Sequence, residues 1–163
     1  MSVSPTSSRV SATSVTLRPV RPSDRDRILW WRNDPETRRA SFDAAEIPLD
    51  LHERWFDASL ERDNRKMYIV VVQGHPEGVV RLDTAGSAAT VSINLAPEWR
   101  GRGVGAIALR KLAAISFKEL KLRRLVASVK EENLASLAAF KKANFAETRR
   151  RDGIVTLQRA RSR

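Results

Sequence analysis

The segment LAPEWRGRGVGAIAL, residues 95–109, sets Gly101, Gly103 and Gly105 at alternate positions with Arg100 and Arg102 between and before them. It follows ATVSINLA (89–96), in which Val91, Ile93 and Leu95 fall on one side and Ser92 and Asn94 on the other, the pattern of a half-buried strand. It leads into residues 104–120, where Val104, Ile107, Ala108, Leu112 and Ile115 recur at helical spacing, with Lys111, Lys118 and Lys121 on the opposite side. A strand-to-helix turn this rich in glycine constrains the fold strongly. Glycine permits positive φ and close approach of the backbone to a ligand. Free amides at a helix start, aided by the helix dipole, make a concave anion site. Arg100 and Arg102 add charge-assisted donors of the kind phosphates favour.

Several ligands fit such a turn on its residues alone. A nucleotide-triphosphate loop requires Gly-Lys-Ser or Gly-Lys-Thr, which the chain lacks. Gly101, Gly103 and Ala106 formally satisfy the dinucleotide pattern G-x-G-x-x-A. However, PEWR separates the strand from the first glycine, and no acidic residue ends a strand about 20 residues later to hold a ribose. Too little chain follows for the usual series of parallel strands. A glycine-rich turn that binds nothing stays open beside these readings.

With 163 residues, 42% of them apolar, the chain is long and greasy enough for one domain with a real core. Thirty basic side chains against nineteen acidic ones give a net charge of +11, which favours nucleic acid, membrane phosphate or a phosphate-rich cofactor. The charge is spread along the chain, and RRR (149–151) is its longest block, so a generally basic surface accounts for it equally well. Residues 1–14 are rich in Ser and Thr without the apolar block of a secretory signal, and they read as a loose tail before a single domain over 15–160. No apolar run approaches the length of a membrane span. Cysteine is absent, which excludes disulfides, thiolate metal sites and a cysteine nucleophile, and fits a cytoplasmic setting.

VTLRPV (15–20) alternates like a strand. Ser23 and Asp26 resemble a capping box ahead of a helix with Ile28, Leu29 and Trp31 as its apolar stripe, broken by Asn33-Asp34-Pro35, with a short turn following through Arg39. Asp50 and Glu53 mark a second helix start, with Leu51, Trp55 and Leu60 at helical spacing. MYIVVV (67–72) and GVVRLD (78–83) read as a hairpin, and RLVASV (124–129) as a strand. Asn133 opens a helix to Lys142, and FAETRR with IVTLQR closes as a hairpin around Asp152-Gly153. This order predicts an α/β (α+β) fold: one mixed, mostly antiparallel central sheet of about six to seven strands flanked by about four helices.

Arg100-x-x-Gly103-x-Gly105 at such a turn resembles the coenzyme A pyrophosphate loop of the GCN5-related N-acetyltransferase (GNAT) family. NLASLAAFKKANF (133–145) is similar to that family's second signature, with Asn144 where glycine is usual; asparagine tolerates the left-handed φ of the turn. The resemblance spans about residues 15–159 and implies the GNAT fold, acetyl-coenzyme A as co-substrate, no metal, and acetylation of an amine. It implies that amides of Arg100, Gly101, Arg102, Gly103, Val104 and Gly105 hold the pyrophosphate. The strand containing Ile93, Asn94 and Leu95 would bond the pantetheine arm and point an N–H at the acetyl carbonyl. Asn133 would contact the same arm, although as a bare feature it is an ordinary helix N-cap. Lys142 would help hold the nucleotide end or stay a solvated surface lysine.

Many relatives place a tyrosine where this chain has Phe140, which has no proton to give to the departing thiolate. In the branch resembling ribosomal-protein alanine acetyltransferases, a serine at the position of Ser136 serves that role; otherwise Ser136 is a small residue allowing close approach. Asn94 would orient a water. Asp83, Glu98 and His52 are the candidate bases, and none is assigned.

WWRND (30–34) followed by HERWF (52–56) looks most like acetyltransferases of nucleotide-linked amino sugars. Trp30, Trp31 and Trp55 would then stack a sugar or base, with Arg32 pairing with a diphosphate and Asn33 in the acceptor site. Adjacent tryptophans cannot share one helix side, so one of Trp30 and Trp31 belongs to the core. A protein N-terminal amine and another small amine remain alternatives for the acceptor, and a noncatalytic nucleic-acid-binding module is the reading from a different class. The oligomeric state stays open between monomer and homodimer.

Overall fold

Two reversals marked in the sequence become hairpins in the computed structural model, which describes residues 10–163. Strand β2 (Arg65–Val72) returns as β3 (His75–Ala85) through Gln73 and Gly74, both at positive φ. Strand β6 (Ala146–Arg151) returns as β7 (Ile154–Ala160) through Asp152 and Gly153, at φ 53° and 76°, as a two-residue primed turn requires. With β1 (Val15–Pro19), β4 (Ala88–Leu95) and β5 (Arg124–Lys130), they build one seven-stranded sheet ordered β1-β2-β3-β4-β5-β7-β6. Only β4 and β5 run parallel, as their helical crossover dictates.

Helix α4 (Val104–Lys118) makes that crossover, and with α5 (Leu134–Lys142) it covers one face. Val104, Ala108, Leu109 and Leu112 pack there against Val80, Leu82, Leu125 and Leu157. Between α5 and β6 the chain turns at Asn144 with φ 67°, the left-handed conformation expected of it. On the other face lie α1 (Arg25–Asn33), α2 (Pro35–Ala40) and α3 (Leu49–Glu61), burying Ile28, Trp31 and Phe56 against Met67, Ile69 and Ala96. The strand count and order agree with the sequence. Among the described residues the α-helices number five, because the turn expected through Arg39 is helical, capped by Asp34 on the amides of Glu36 and Thr37.

Two local expectations need correction. The first is the helix start: Ser23 sits in a 3₁₀ turn (Pro22–Asp24), and Asp24 holds the junction. Its carboxylate, wholly buried, accepts 2.8 Å bonds from Arg18, Arg27 and the Arg21 amide, tying β1 to α1. The second is the face of α3. His52, Phe56 and Ser59 are buried, while Leu51 and Leu60 are exposed and Trp55 is half-buried. Phe56 fills the space between Trp31 and the sheet, and His52 bonds the Arg25 carbonyl at 2.7 Å, which fixes the helix's rotation. Among the described residues no helix is long and apolar enough to cross a membrane. The loose tail expected over residues 1–14 lies outside the described residues for 1–9. The Val10 amide bonds the Arg102 carbonyl, and Ala12–Ser14 form a 3₁₀ turn.

Burial alone would raise the pKa of Asp24, but the Arg18 hydrogen bond, the Arg21 amide and the charges of Arg18 and Arg27 hold it below the usual carboxylate value. A depressed carboxyl contributes stability above its unfolded pKa and loses it as pH falls through the folded one. Asp24→Ala should therefore cost about 2–3 kcal/mol in neutral urea titrations, less than the roughly 3–5 kcal/mol of a wholly buried pair because Arg18 and Arg27 can rehydrate. The deficit should shrink as the titration is repeated at progressively lower pH.

Candidate active site

The ladder between β4 and β5 has three rows, Ala88↔Arg124, Ala89↔Leu125 and Thr90↔Val126, and then stops. On their other sides β4 stays paired with β3 through Leu95↔Gly78, and β5 with β7 through Lys130↔Ile154. The sheet therefore splits, and residues 91–95 present one backbone edge with no strand beside it. Unpaired backbone groups in a partly buried crevice call for another partner.

The glycine turn lies at the open end of this split. A 3₁₀ turn (Pro97–Trp99) leads from β4 into the loop, where Gly101 and Gly103 take φ of 69° and 86°. A Cβ at either would meet nothing within 4 Å. Both glycines are thus needed for backbone conformation, and the space beside them is open, as a bulky anion requires. The first helical bond of α4 runs from the Ile107 amide to the Gly103 carbonyl, leaving the preceding amides without intrahelical acceptors. Gly105 has a different reason. Its missing Cβ would lie 3.4 Å from Ala139 and 3.6 Å from Leu95, so glycine lets α4 approach α5 and β4 closely. Arg102 stacks on Trp99, 4.2 Å from the ring centre.

Arg100 takes a position that its place in the loop did not suggest. Its guanidinium bonds Asp34 at 3.0 Å, Glu36 at 2.7 Å and the Leu95 carbonyl at 3.1 Å, and also the Thr37 hydroxyl. The Thr37 hydroxyl in turn donates to Asn94 Oδ1 at 3.2 Å. From the far side of the split, Lys130 Nζ at the end of β5 donates to the Arg39 carbonyl at 3.0 Å. Helix α2 is thereby tied to both lips of the split. Thr37 and Lys130 carry no motif in the sequence, because their role exists only through partners 57 and 91 residues away.

On α5, Asn133 caps the helix by accepting the Ser136 amide at 3.2 Å, which leaves its own amide hydrogens free of that task. Ser136 is half-buried one turn later, and Phe140 is buried edge-on against Phe145. Lys142 is exposed, while its carbonyl accepts two bonds from Arg110. Ile93 and Leu95 are half-buried beside Gly105.

The expected acceptor residues separate. Trp30 is 76% exposed and Trp31 is core at 4%, as adjacency demanded. Arg32 is partly buried with its guanidinium on the Asp43 carbonyl, and burial lowers its pKa. Asn33 clamps the backbone of Ile47 with both amide atoms, which fixes the loop between α2 and α3. Trp55 lies between Arg65 and Arg81, 5.6 and 5.8 Å from its ring. Of the candidate bases, Asp83 is held by Arg65 and Arg81, and burial of His52 lowers its pKa. Glu98 stays exposed beside the loop. Near it is Glu77, whose carboxyl burial and the Glu98 charge push upward. Glu77 is the extra residue in β3 where pairing with β2 slips between Val70 and Val71.

The removal of Arg100 side-chain contacts should free α2 locally. Loss of these partly buried charge-assisted bonds is worth about 1–2 kcal/mol, so in Arg100→Ala the amides of residues 36–41 should exchange with deuterium roughly 5–30-fold faster. Exchange in α4 should change little.

A family model described as an acetyltransferase (GNAT) domain matches residues 14–146. No curated protein matches the chain. Among solved structures, a spermidine N-acetyltransferase from Vibrio cholerae in complex with CoA and spermine superposes with TM-score 0.81 at 19% identity, covering 91% of this chain and 96% of its own. An aminoglycoside acetyltransferase in complex with coenzyme A and kanamycin gives 0.78 at 20%, covering 91% and 95%. A Campylobacter jejuni N-acetyltransferase, PseH, in complex with acetyl coenzyme A gives 0.72 at 17%, covering 91% and 99%.

Proposed function

We propose a direct acetyl transfer from acetyl-coenzyme A to a primary amine for this chain, which belongs to the GNAT acetyltransferase domain family. The observation that carries the mechanism is the split between β4 and β5 with the glycine turn at its open end. The open space and positive φ at Gly101 and Gly103 suit a diphosphate, which the amides from Arg100 to Gly105 would receive. The free edge at Ile93, Asn94 and Leu95 suits an extended amide-bearing arm, and Asn133 would bond the same arm. Lys142 would reach the nucleotide end.

In the transfer, the amine lone pair attacks the thioester carbonyl carbon, a C–N bond forms, the C–S bond breaks, and the nitrogen loses a proton. Most of the acceleration comes from holding both reactants in line. A β4 amide near Asn94 would stabilise the developing oxyanion, and the Asn94 side chain, steadied by Thr37, would orient a water. Phe140 has no proton to give, so Ser136 would serve the thiolate. Glu98 and Glu77 are the carboxyls left to accept the amine proton, directly or through water. Arg100 acts through its backbone in the loop and through its side chain on α2.

For the acceptor, the reading the residues favour is a nucleotide-linked amino sugar, supported by the resemblance of the WWRND and HERWF segments. Exposed Trp30 offers a surface for a ring. A protein N-terminal amine and other small amines are the alternatives, and the folds shared with the spermidine and aminoglycoside enzymes keep the latter in view.

Thiol release from acetyl-coenzyme A across nucleotide amino sugars, peptides and polyamines tests the reading, and release with none of them would sink it. Acetyl-coenzyme A should raise the melting temperature of the wild type. Gly103→Glu should abolish that rise through backbone strain and like charge; a retained rise would place the diphosphate elsewhere. Ser136→Ala should lower kcat by about tenfold without weakening the donor, below the usual 10²–10⁴ of general-acid catalysis because a thiolate leaves easily.

A further inference from the structure

The three N-terminal helices cover one face of the sheet only over its first half. They pack over β2, β3 and β4, while the same face of β5, β7 and β6 carries no helix among the described residues. Helices α4 and α5 lie on the opposite side, where Leu125, Ala127, Val155 and Leu157 are buried. Alternation therefore sends Ser128, Lys130, Thr156, Arg149 and Arg151 to the bare side.

The register arranges these residues in rows. Lys130, Ile154 and Arg151 make one row, and Ser128, Thr156 and Arg149 the next. A shallow hollow between them is lined by Arg149, Arg151, Asp152, Ile154 and Thr156. Charge is sorted by face. Arg150, between the two bare-side arginines, points to the other side and pairs with Glu147 and Glu131. On the bare side Arg149 has no ion-pair partner among the described residues, and Arg151 has only its neighbour Asp152 at 3.5 Å. Lys130 joins this strip to α2 through the Arg39 carbonyl, so the strip begins at the open end of the split and runs outward from it.

We propose that this basic strip holds the phosphate groups of the acceptor, making the substrate an amine that carries a diphosphate. The inference rests on the acetyl-transfer reading above and adds the place of the acceptor's charge. Arg149 and Arg151 are two residues apart on a strand, about 7 Å, which lets two guanidinium groups flank one diphosphate. Arg32 is partly buried, with Nη2 on the Asp43 carbonyl and Nη1 shut off from solvent, so the exposed arginines of the strip are the more accessible partners for phosphate. A single-stranded nucleic acid fits the charge but finds no aromatic ring on these strands for its bases. A second copy packed face to face through the same strip would set Arg149 and Arg151 against their own like charges.

Calorimetric titration of uridine diphosphate into protein saturated with coenzyme A tests the strip, because the loop's own diphosphate site is then filled. Binding should occur with the wild type and weaken about tenfold or more in the double variant Arg149→Glu, Arg151→Glu. The melting-temperature rise with coenzyme A should be the same in both proteins, which shows that the exposed substitutions leave fold and donor site intact. Equal affinity in the two proteins, or no binding to the wild type, overturns the proposal. So does an oligouridylate that binds more tightly than uridine diphosphate and is lost in the variant, or a dimer that the substitutions dissociate. If uridine diphosphate fails while unphosphorylated amines still release thiol, the strip alone falls. If acetyl-coenzyme A itself does not bind, the acetyl-transfer reading falls with it.

Discussion

A sheet that stops pairing in its middle is the constraint from which the rest of this molecule follows. After Thr90↔Val126 the backbone of β4 loses its neighbour, although β4 continues to Leu95. Leaving amides and carbonyls unpaired in a half-buried crevice is unfavourable, so the arrangement persists only because the surroundings hold it open. Helix α4 does much of that holding. Its first turn, admitted by Gly105, sits against Ile93, Leu95 and Ala139, and its apolar face anchors it to the core below. On the proposed reading the separation of the strands and the glycine turn act together: the crevice would receive an extended arm, and the turn the charge at its end.

Helix α2 adds a connection between the glycine loop and both lips of the split. It has six residues and no buried side chain, so packing does not fix it. Polar contacts do: Arg100 reaches it from the donor loop, Asn94 from the edge strand, and Lys130 from across the split. A displacement of the loop would be felt at α2 through the Arg100 guanidinium.

Much of this was legible in the sequence where local chemistry decides the outcome. The glycines at 101 and 103, the Asp152-Gly153 turn, Asn144 with left-handed φ, and the division of Trp30 from Trp31 all depend on the residue's own backbone or its helical neighbours. What escaped depends on distant partners. The sequence assigns Arg100 to phosphate because it stands beside glycines, yet its side chain is claimed by α2, more than 60 residues earlier. The face of α3 was misjudged because leucines outweigh histidine in an apolar pattern, whereas His52 is buried by its bond to Arg25. The end of the β4–β5 ladder left no mark at all, since both strands continue to alternate beyond it.

The link between Val10 and Arg102 has a practical side. The Val10 amide is bonded to the glycine loop, and Lys111 holds the backbone of Ala12 and Val15, so the chain enters the domain alongside that loop. The other terminus leaves where Arg161 bonds Arg123, at the closed end of the sheet. A bulky group carried at position 10 would therefore crowd the loop, whereas one carried at position 161 keeps its distance.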